Sequence, residues 1–532
     1  MKITKKILAL CLAILMLFSV TGIAYAADET DNNLTAVLPG LDNIDDLINF
    51  PLIDCIIVED TKQTCPVITI PGFTASPVYD DINDESTLIG FPGTDDILAI
   101  VTEAFIPALL RYAVDRDIDK LVVPVTDRVN EAFAYWFNES TGDAKEGSGI
   151  IPQDLSDVTI KSDLTFTYDW RGDPVKIADS LDAYIDEVCR VSDSDKVALA
   201  CHSLGSTIAL SYLTFYGNDK IESIVFDSPA CNGVAIMGSV LTGNVNFDAE
   251  SIGYFLKNIL GENEYKALLS SIIDILESAS VMNLVVRFAD EIVEALAPAV
   301  YRETIAPLMG YWPTVWSMVP DNKVAEAKAY IFDNILASKD LSVLESKIDY
   351  YNTTVRANRT KTLKSFDSDG NFAIISRYTH RTIPLEGSAK FMSDLMIETS
   401  ASSFGATTTP MGEYFSDDYL KGKDMAYISP DRTVDASTCL FPDKTWFIRD
   451  SGHFETGGLT EDYYDMFLFA DEELTCDTAE IGRFTYRDPV SYTLVEDTAV
   501  PSALVKSSLY QSIYSFAVAF VETIVKLIEN LF

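Results

Sequence analysis

The chain has 532 residues, 48% hydrophobic and 23% charged, enough for one large domain with insertions and too apolar for wholesale disorder. With 81 acidic against 39 basic residues the formal net charge is −42, which argues against nucleic acid as a partner and against an electrostatic grip on anionic membranes.

Residues 1–26 stand apart from the fold. Lys2, Lys5 and Lys6 precede the apolar run 7–23, and the small-residue stretch Ala24-Tyr25-Ala26 follows. This pattern predicts a secretory signal peptide cut after Ala26, hence a secreted, extracellular mature chain. Residues 27–65 form an acidic, turn-rich N-terminal segment with little structural signal. Seven of the eight cysteines lie beyond residue 26. Export permits disulfides, and Cys55 with Cys65 and Cys439 with Cys476 are the candidate pairs. The odd count leaves a free thiol, for which Cys201 in an apolar strand is the expected residue, inert by burial. There is no CxxC pair. In Asp367-Ser368-Asp369-Gly370-Asn371 the glycine falls two positions too early for a calcium loop, so a turn is expected there. Neither a metal nor a cofactor is expected.

The first strand signal is Val67-Ile68-Thr69-Ile70, running into Pro71-Gly72-Phe73. Residues 95–140 read as amphipathic helix. Leu164–Tyr168 reads as a strand, followed by Asp169-Trp170-Arg171, where the two opposite charges predict a charge-assisted pair. A helix from Pro174 to Cys189 buries Ile177, Leu181, Ile185 and Val188 at helical spacing, with Pro174 in its first turn. Then Val197–His202 forms a buried strand, Ser203-Leu204-Gly205 a sharp turn, and Ile208-Ala209-Leu210 the buried side of another helix. Ile221–Phe226 is a further strand. Alternation of strand and helix across 164–226 is the pattern of a parallel sheet.

The turn at Ser203 is the chemically informative one. A serine between a strand and a helix is lifted above the sheet, and the helix N-terminus behind it favours developing negative charge. Small residues are needed two before and two after the serine; Gly205 meets that need and Cys201 stands where glycine is usual. The Pro71-Gly72-Phe73 loop precedes it in the order that places a first oxyanion donor, so the backbone amides of Phe73 and Leu204 are the candidate oxyanion hole.

From about residue 236 to 365 long helical periodicities prevail, including 265–279, 281–300 and 324–335. The aromatic patch Gly310–Pro320 interrupts them. This reads as a helical cap inserted into the sheet domain, and Trp170, Trp312 and Trp316 are candidates for an apolar substrate pocket. Strand signals return at Phe372–Ser376 and Thr445–Ile448, with a Ser/Thr/Gly-rich loop at 398–412 and a closing helix at 460–470. Residues 503–532 are amphipathic, with Glu522, Lys526 and Glu529 breaking the apolar face. Such a helix does not span a membrane; it docks on the body or contacts a lipid surface or partner.

A hydroxyl nucleophile needs a base, and the chain has three histidines. His202 neighbours Ser203 and is expected to point away from it. His453, in Ser451-Gly452-His453 after the last strand, is the expected base, with His380 second. The acid belongs between serine and histidine in the order Ser, Asp, His. Asp431 in Pro430-Asp431-Arg432-Thr433-Val434 is the candidate and Asp435 the second.

Together these segments resemble the lecithin:cholesterol acyltransferase-like, lipase branch of the α/β hydrolases. The resemblance rests on Ile70-Pro71-Gly72-Phe73, Tyr168-Asp169-Trp170-Arg171, His202-Ser203-Leu204-Gly205, Asp431-Arg432-Thr433-Val434 and Ser451-Gly452-His453, over roughly 66–235 and 425–470. It implies an α/β-hydrolase fold with a mostly parallel central sheet; it does not cover the cap or either end. With the helical cap insertion read from the periodicity, the first half spans 66–235, the cap 236–365 and the second half 366–475, with a C-terminal extension at 476–532. The resemblance also implies Ser203, Asp431 and His453 as a catalytic triad that acts on lipid esters through an acyl-enzyme, by hydrolysis or acyl transfer. Cys201 and Arg432 stand where the family more usually has glycine. Two other readings stay open: a peptidase or non-lipid esterase on the same fold, and a hydrolase-fold binding protein without catalysis.

Overall fold

The computed structural model of the chain describes residues 63–89, 119–244, 299–369, 371–380, 391–453, 461–470, 473–479, 481–487 and 494–497, with a few positions between 103 and 117. The signal segment, most of the N-terminal segment, the helices expected over 265–298 and the C-terminal amphipathic stretch lie outside the described residues.

Eight strands form one sheet: β1 Val67–Ile70, β2 Asp163–Thr165, β3 Val197–His202, β4 Ile221–Asp227, β5 Asn371–Tyr378, β8 Thr445–Arg449, β9 Phe484–Arg487 and β10 Leu494–Glu496. Two short strands, β6 Thr407–Thr408 and β7 Val434–Asp435, pair separately. The order across the main sheet is β10-β9-β8-β5-β4-β3-β1-β2, and every neighbouring pair is parallel except β9 with β10. The chain thus steps from β1 outward to β2, returns to β3 on the other side of β1, and then runs outward through β4, β5, β8 and β9. The direction of winding reverses between β1 and β3. In an open α/β sheet, ligands bind at such a switch point, beyond the carboxyl ends of the strands. This is an α/β-hydrolase-like fold.

Sheet residues alternate between two apolar layers, as a pleat requires. Ile68, Leu199, Ile224, Phe226 and Ile374 face one layer; Val67, Ala198, Val225, Ala373, Ile375, Trp446 and Ile448 face the other. The first layer is covered by α1 Asp119–Ala132, α2 Pro174–Ser192, α3 Leu204–Tyr216 and the helices of 299–369, the second by a helix at Glu461–Leu468. α2 starts where Asp173 caps the amide of Val175 and stops at Asp193, whose φ of 56° is left-handed. α3 is buried over all of residues 204–213, as befits a helix apolar on every side.

Several elements differ from expectation. The strand expected over 164–168 ends at Thr165, because Phe166 makes one last bond to Thr69 and the chain then turns to carry Tyr168 and Trp170 into the core. The described end of the insertion, residues 299–365, shares an apolar core with β1 and β3. The 398–412 loop holds a helical turn at Thr399–Ser402 and the strand β6. Cys439 and Cys476 are buried free thiols in different apolar clusters, so the pairing expected between them is absent. Cys201 is the buried free thiol expected. Cys55 lies outside the described residues.

Candidate active site

The carboxyl edge of the sheet is where the backbone is most strained. Left-handed φ values occur just beyond five parallel strands: Thr74 (66°) after β1, Ser203 (54°) after β3, Ser228 (48°) after β4, Thr379 (81°) after β5 and Asp450 (56°) after β8. Non-glycine residues persist in that region only where the surroundings over-determine them, and such positions cluster at functional sites.

Ser203 lies at one of these turns, with φ 54° and ψ −119° between β3 and α3. The helix passes so close to β1 that a Cβ on Gly205 would sit 2.0 Å from the Ile70 carbonyl oxygen. A side chain there has no room, whereas Cys201 is accommodated in the core at full burial. The Ser203 amide donates to the Asp227 carbonyl at 2.9 Å, and its carbonyl accepts from Ala230 at 3.2 Å. The Asp227 carboxylate is in turn held by Arg377 of β5 at 2.8 Å and by the Tyr464 hydroxyl at 2.6 Å, with Asp227 and Arg377 buried beneath the turn. A buried ion pair is tolerable only when closely matched, and here it joins the ends of β4 and β5 beside the Ser203 turn.

Two hydrogen bonds extend from the serine. The Ser203 hydroxyl donates to His453 Nε2 at 3.0 Å, and His453 Nδ1 donates to a carboxylate oxygen of Asp394 at 2.8 Å. All three groups are buried, Ser203 being 5% exposed and His453 4%. Burial alone would raise the Asp394 carboxyl; the adjacent His453 and the amides of Ile397 and Met396 outweigh it and hold the group down at about 2. An ionised carboxylate against one imidazole nitrogen fixes the tautomer that leaves the other able to accept the serine proton.

Asp394 replaces Asp431 in this role. Asp431 accepts from Ser429 Oγ at 2.6 Å and from Thr433 Oγ1 at 2.8 Å, closing the local turn in which Arg432 takes a φ of 59°. Asp435 is fully buried against Lys423 and Tyr419, each at 2.8 Å. Neither carboxylate touches His453. The acid sits instead beyond β5, on a loop that His380 frames by exchanging two backbone bonds with Ser393 at 2.9 and 2.7 Å. Asp394 is the first aspartate after β5. Counting strands outward from β3 would have pointed to that loop; choosing an aspartate close to the last strand did not.

Gly72 approaches Ser203 so closely that a Cβ there would lie 3.0 Å from the Ser203 Cβ. The next residue, Phe73, and Leu204 at the start of α3 are the expected oxyanion donors, and neither amide is taken by another backbone carbonyl among the described residues. The Phe73 loop is anchored from the segment after β2: Tyr168 donates its hydroxyl to the Pro71 carbonyl at 2.6 Å, and Trp170 Nε1 donates to the Ser76 carbonyl at 3.3 Å. Asp169 and Arg171 form the expected pair, bidentate at 2.9 and 2.7 Å.

The tryptophans do not line an open pocket. Trp170, Trp312 and Trp316 are each no more than 2% exposed, and their indole N–H groups are satisfied by the carbonyls of Ser76, Trp136 and Gly310. Trp170 and Trp312 contact the Phe73 ring, at centroid distances of 5.0 and 5.9 Å. Trp170 and Trp312 thus pack against the loop that carries Phe73, while Trp316 packs against Phe332. His202 also differs from expectation: its ring lies beside His453, centroids 4.7 Å apart. Among the described residues no cluster of three or more His, Cys, Asp or Glu side chains is arranged to hold a metal, and no helix is long and apolar enough to cross a membrane.

No protein-family model matches the sequence, and no curated protein matches it. Among solved structures the chain is similar to one titled "The crystal structure of Tle4-Tli4 complex", at 12% identity and a TM-score of 0.25, over 59% of this chain and 75% of that one. The fold class rests on the strand order and the winding, not on that likeness.

Proposed function

We propose that the protein is an exported serine hydrolase of carboxylic esters, with lipid esters as its substrate class. The observation that carries this reading is the hydrogen-bonded chain Ser203–His453–Asp394 at 3.0 and 2.8 Å, at the switch point of a hydrolase-like sheet. His453 takes the Ser203 proton as the hydroxyl oxygen attacks the ester carbonyl, and Asp394 stabilises the imidazolium that forms. The carbonyl oxygen, now negative, accepts from the Phe73 and Leu204 amides. Collapse expels the alcohol, which takes the proton back from His453 and leaves an acyl-serine. Water then attacks with His453 again as base and releases the acid; an acceptor alcohol in place of water makes the reaction an acyl transfer.

The lipid assignment is supported by the sequence resemblance that Tyr168-Asp169-Trp170-Arg171 carries and by the apolar composition of the insertion between β4 and β5. It is tested by measuring release from soluble short-chain esters and from the same ester presented in phosphatidylcholine vesicles. A rate that climbs when the ester enters vesicles supports a lipid substrate. Equal turnover of soluble esters or peptides with no gain at a lipid surface points to the other esterase or peptidase reading.

A further inference from the structure

His202 precedes the nucleophile yet takes no part in the proton chain. The residue is half-buried, and its Nε2 lies 3.1 Å from the backbone carbonyl oxygen of His453. A carbonyl only accepts, so the hydrogen of this bond is on His202 Nε2 and the bare Nδ1 faces Gly72, where a Cβ would come within 3.1 Å. Loss of water around the ring, and then the neighbouring His453, push the His202 pKa down to about 4, so the ring is neutral at neutral pH.

The other end of the His453 main chain is held as well. Its N–H donates to the Asp394 carbonyl at 2.7 Å. The backbone of the base residue is therefore pinned on one side by the acid residue and on the other by the residue next to the serine. We propose that His202 is a positioning residue that ties the base loop to the nucleophile turn and sets the approach of His453 Nε2 to Ser203 Oγ. The inference rests on the reading of Ser203 and His453 as nucleophile and base. Its physical basis is that proton transfer demands tight geometry: a displacement of about 1 Å costs on the order of a hundredfold in rate. Without the His202 donor the His453 carbonyl loses this hydrogen bond, and the loop loses a tether that moves with the serine.

The test compares second-order rates of phosphonylation by a fluorophosphonate, together with melting temperatures, for the full chain and its variants. His202→Phe keeps a ring and removes the donor; His202→Gln keeps an N–H at the ε position. His202→Asn, too short to reach the carbonyl, stands in for Phe should that variant fail to fold. The expected result is a loss of about thirtyfold or more for Phe with little change in melting temperature, and recovery of at least about tenfold of that loss by Gln. A Phe variant within about threefold of wild type overturns the proposal, as does a Gln variant no faster than a slow Phe variant. Failure of the wild type to react at all is a different outcome: it removes the nucleophile reading, and the proposal with it.

Discussion

The Tyr168 hydroxyl donates to the Pro71 carbonyl at 2.6 Å and so joins the segment after β2 to the loop that carries Phe73. The bond crosses 97 positions of sequence to brace a loop one residue away from the glycine that touches Ser203. A tyrosine beyond β2 thus holds the loop on which the proposed oxyanion donor Phe73 lies.

Tyr168→Phe removes the hydroxyl and keeps the ring. The loss of one buried hydrogen bond costs about 1 kcal/mol and frees the loop, so the rate of reaction with an ester or phosphonate falls about tenfold. Unfolding in urea should show only that modest loss. An unchanged rate in a variant of reduced stability would assign the bond to folding alone.

Asp394→Asn leaves the shape of the loop and removes the charge facing His453. The imidazole then loses the partner that selects its tautomer, and kcat falls by about a thousandfold or more. Asp431→Asn weakens a local turn and leaves kcat within about threefold. Parallel kinetics on the two variants decide between the carboxylates, and a larger loss from Asp431→Asn would reverse the assignment.

Much of this site is legible in the chain because local chemistry specifies it. Apolar strands, a Pro-Gly loop, the serine turn and the Ser-Gly-His loop each carry their own short-range signal. Asp394 does not. Its neighbours Ser393 and Leu395 carry no short-range sequence signal, although Leu395 takes a left-handed φ of 90°, and the role of Asp394 arises only because β5 and β8 are adjacent in the sheet. The Pro-Asp-Arg-Thr-Val turn has the stronger local signature, and that signature belongs to a turn that satisfies itself. The tryptophans fail as pocket residues for a similar reason: aromatic composition does not say which indole N–H groups will find buried carbonyls. His202 escapes the sequence reading because its partner, the His453 carbonyl, lies 251 positions away and comes beside it only through the fold.

Gly205→Ala tests the closeness of α3 to β1. The added methyl would meet the Ile70 carbonyl carbon and oxygen and the Pro71 carbonyl oxygen, all within 2.8 Å and all backbone. Neither strand nor helix can yield cheaply, so the variant should lose about 3 kcal/mol or more, or fail to accumulate as folded protein. Chemical denaturation of the purified variant measures this; near-wild-type stability would mean that the helix can draw back from the strand at little cost.

Glu398 predicts a pH dependence of stability. Its carboxylate oxygen accepts from the Ala235 amide at 3.1 Å, and burial pushes its pKa up from 4.5 to about 7. The folded state therefore binds the proton more tightly than the unfolded chain. The corresponding stabilisation is complete below about pH 4.5 and is lost as pH rises through 7, amounting to roughly 3 kcal/mol. Glu398→Gln cannot titrate, so the difference in urea stability between about pH 5 and about pH 8 should be smaller in the variant by nearly that amount. Equal pH slopes in both proteins would show that Glu398 is not buried as a neutral acid.

The most direct measurement is mass-spectrometric mapping of fluorophosphonate adducts on the full-length protein, with Ser203→Ala, His453→Ala and Asp394→Asn alongside. The expected outcome is a single adduct on Ser203, none in the Ser203→Ala protein, and labelling slowed by orders of magnitude in the other two. Labelling that persists in the Ser203→Ala protein, or a folded wild type that takes up no label, would contradict a serine nucleophile at this turn.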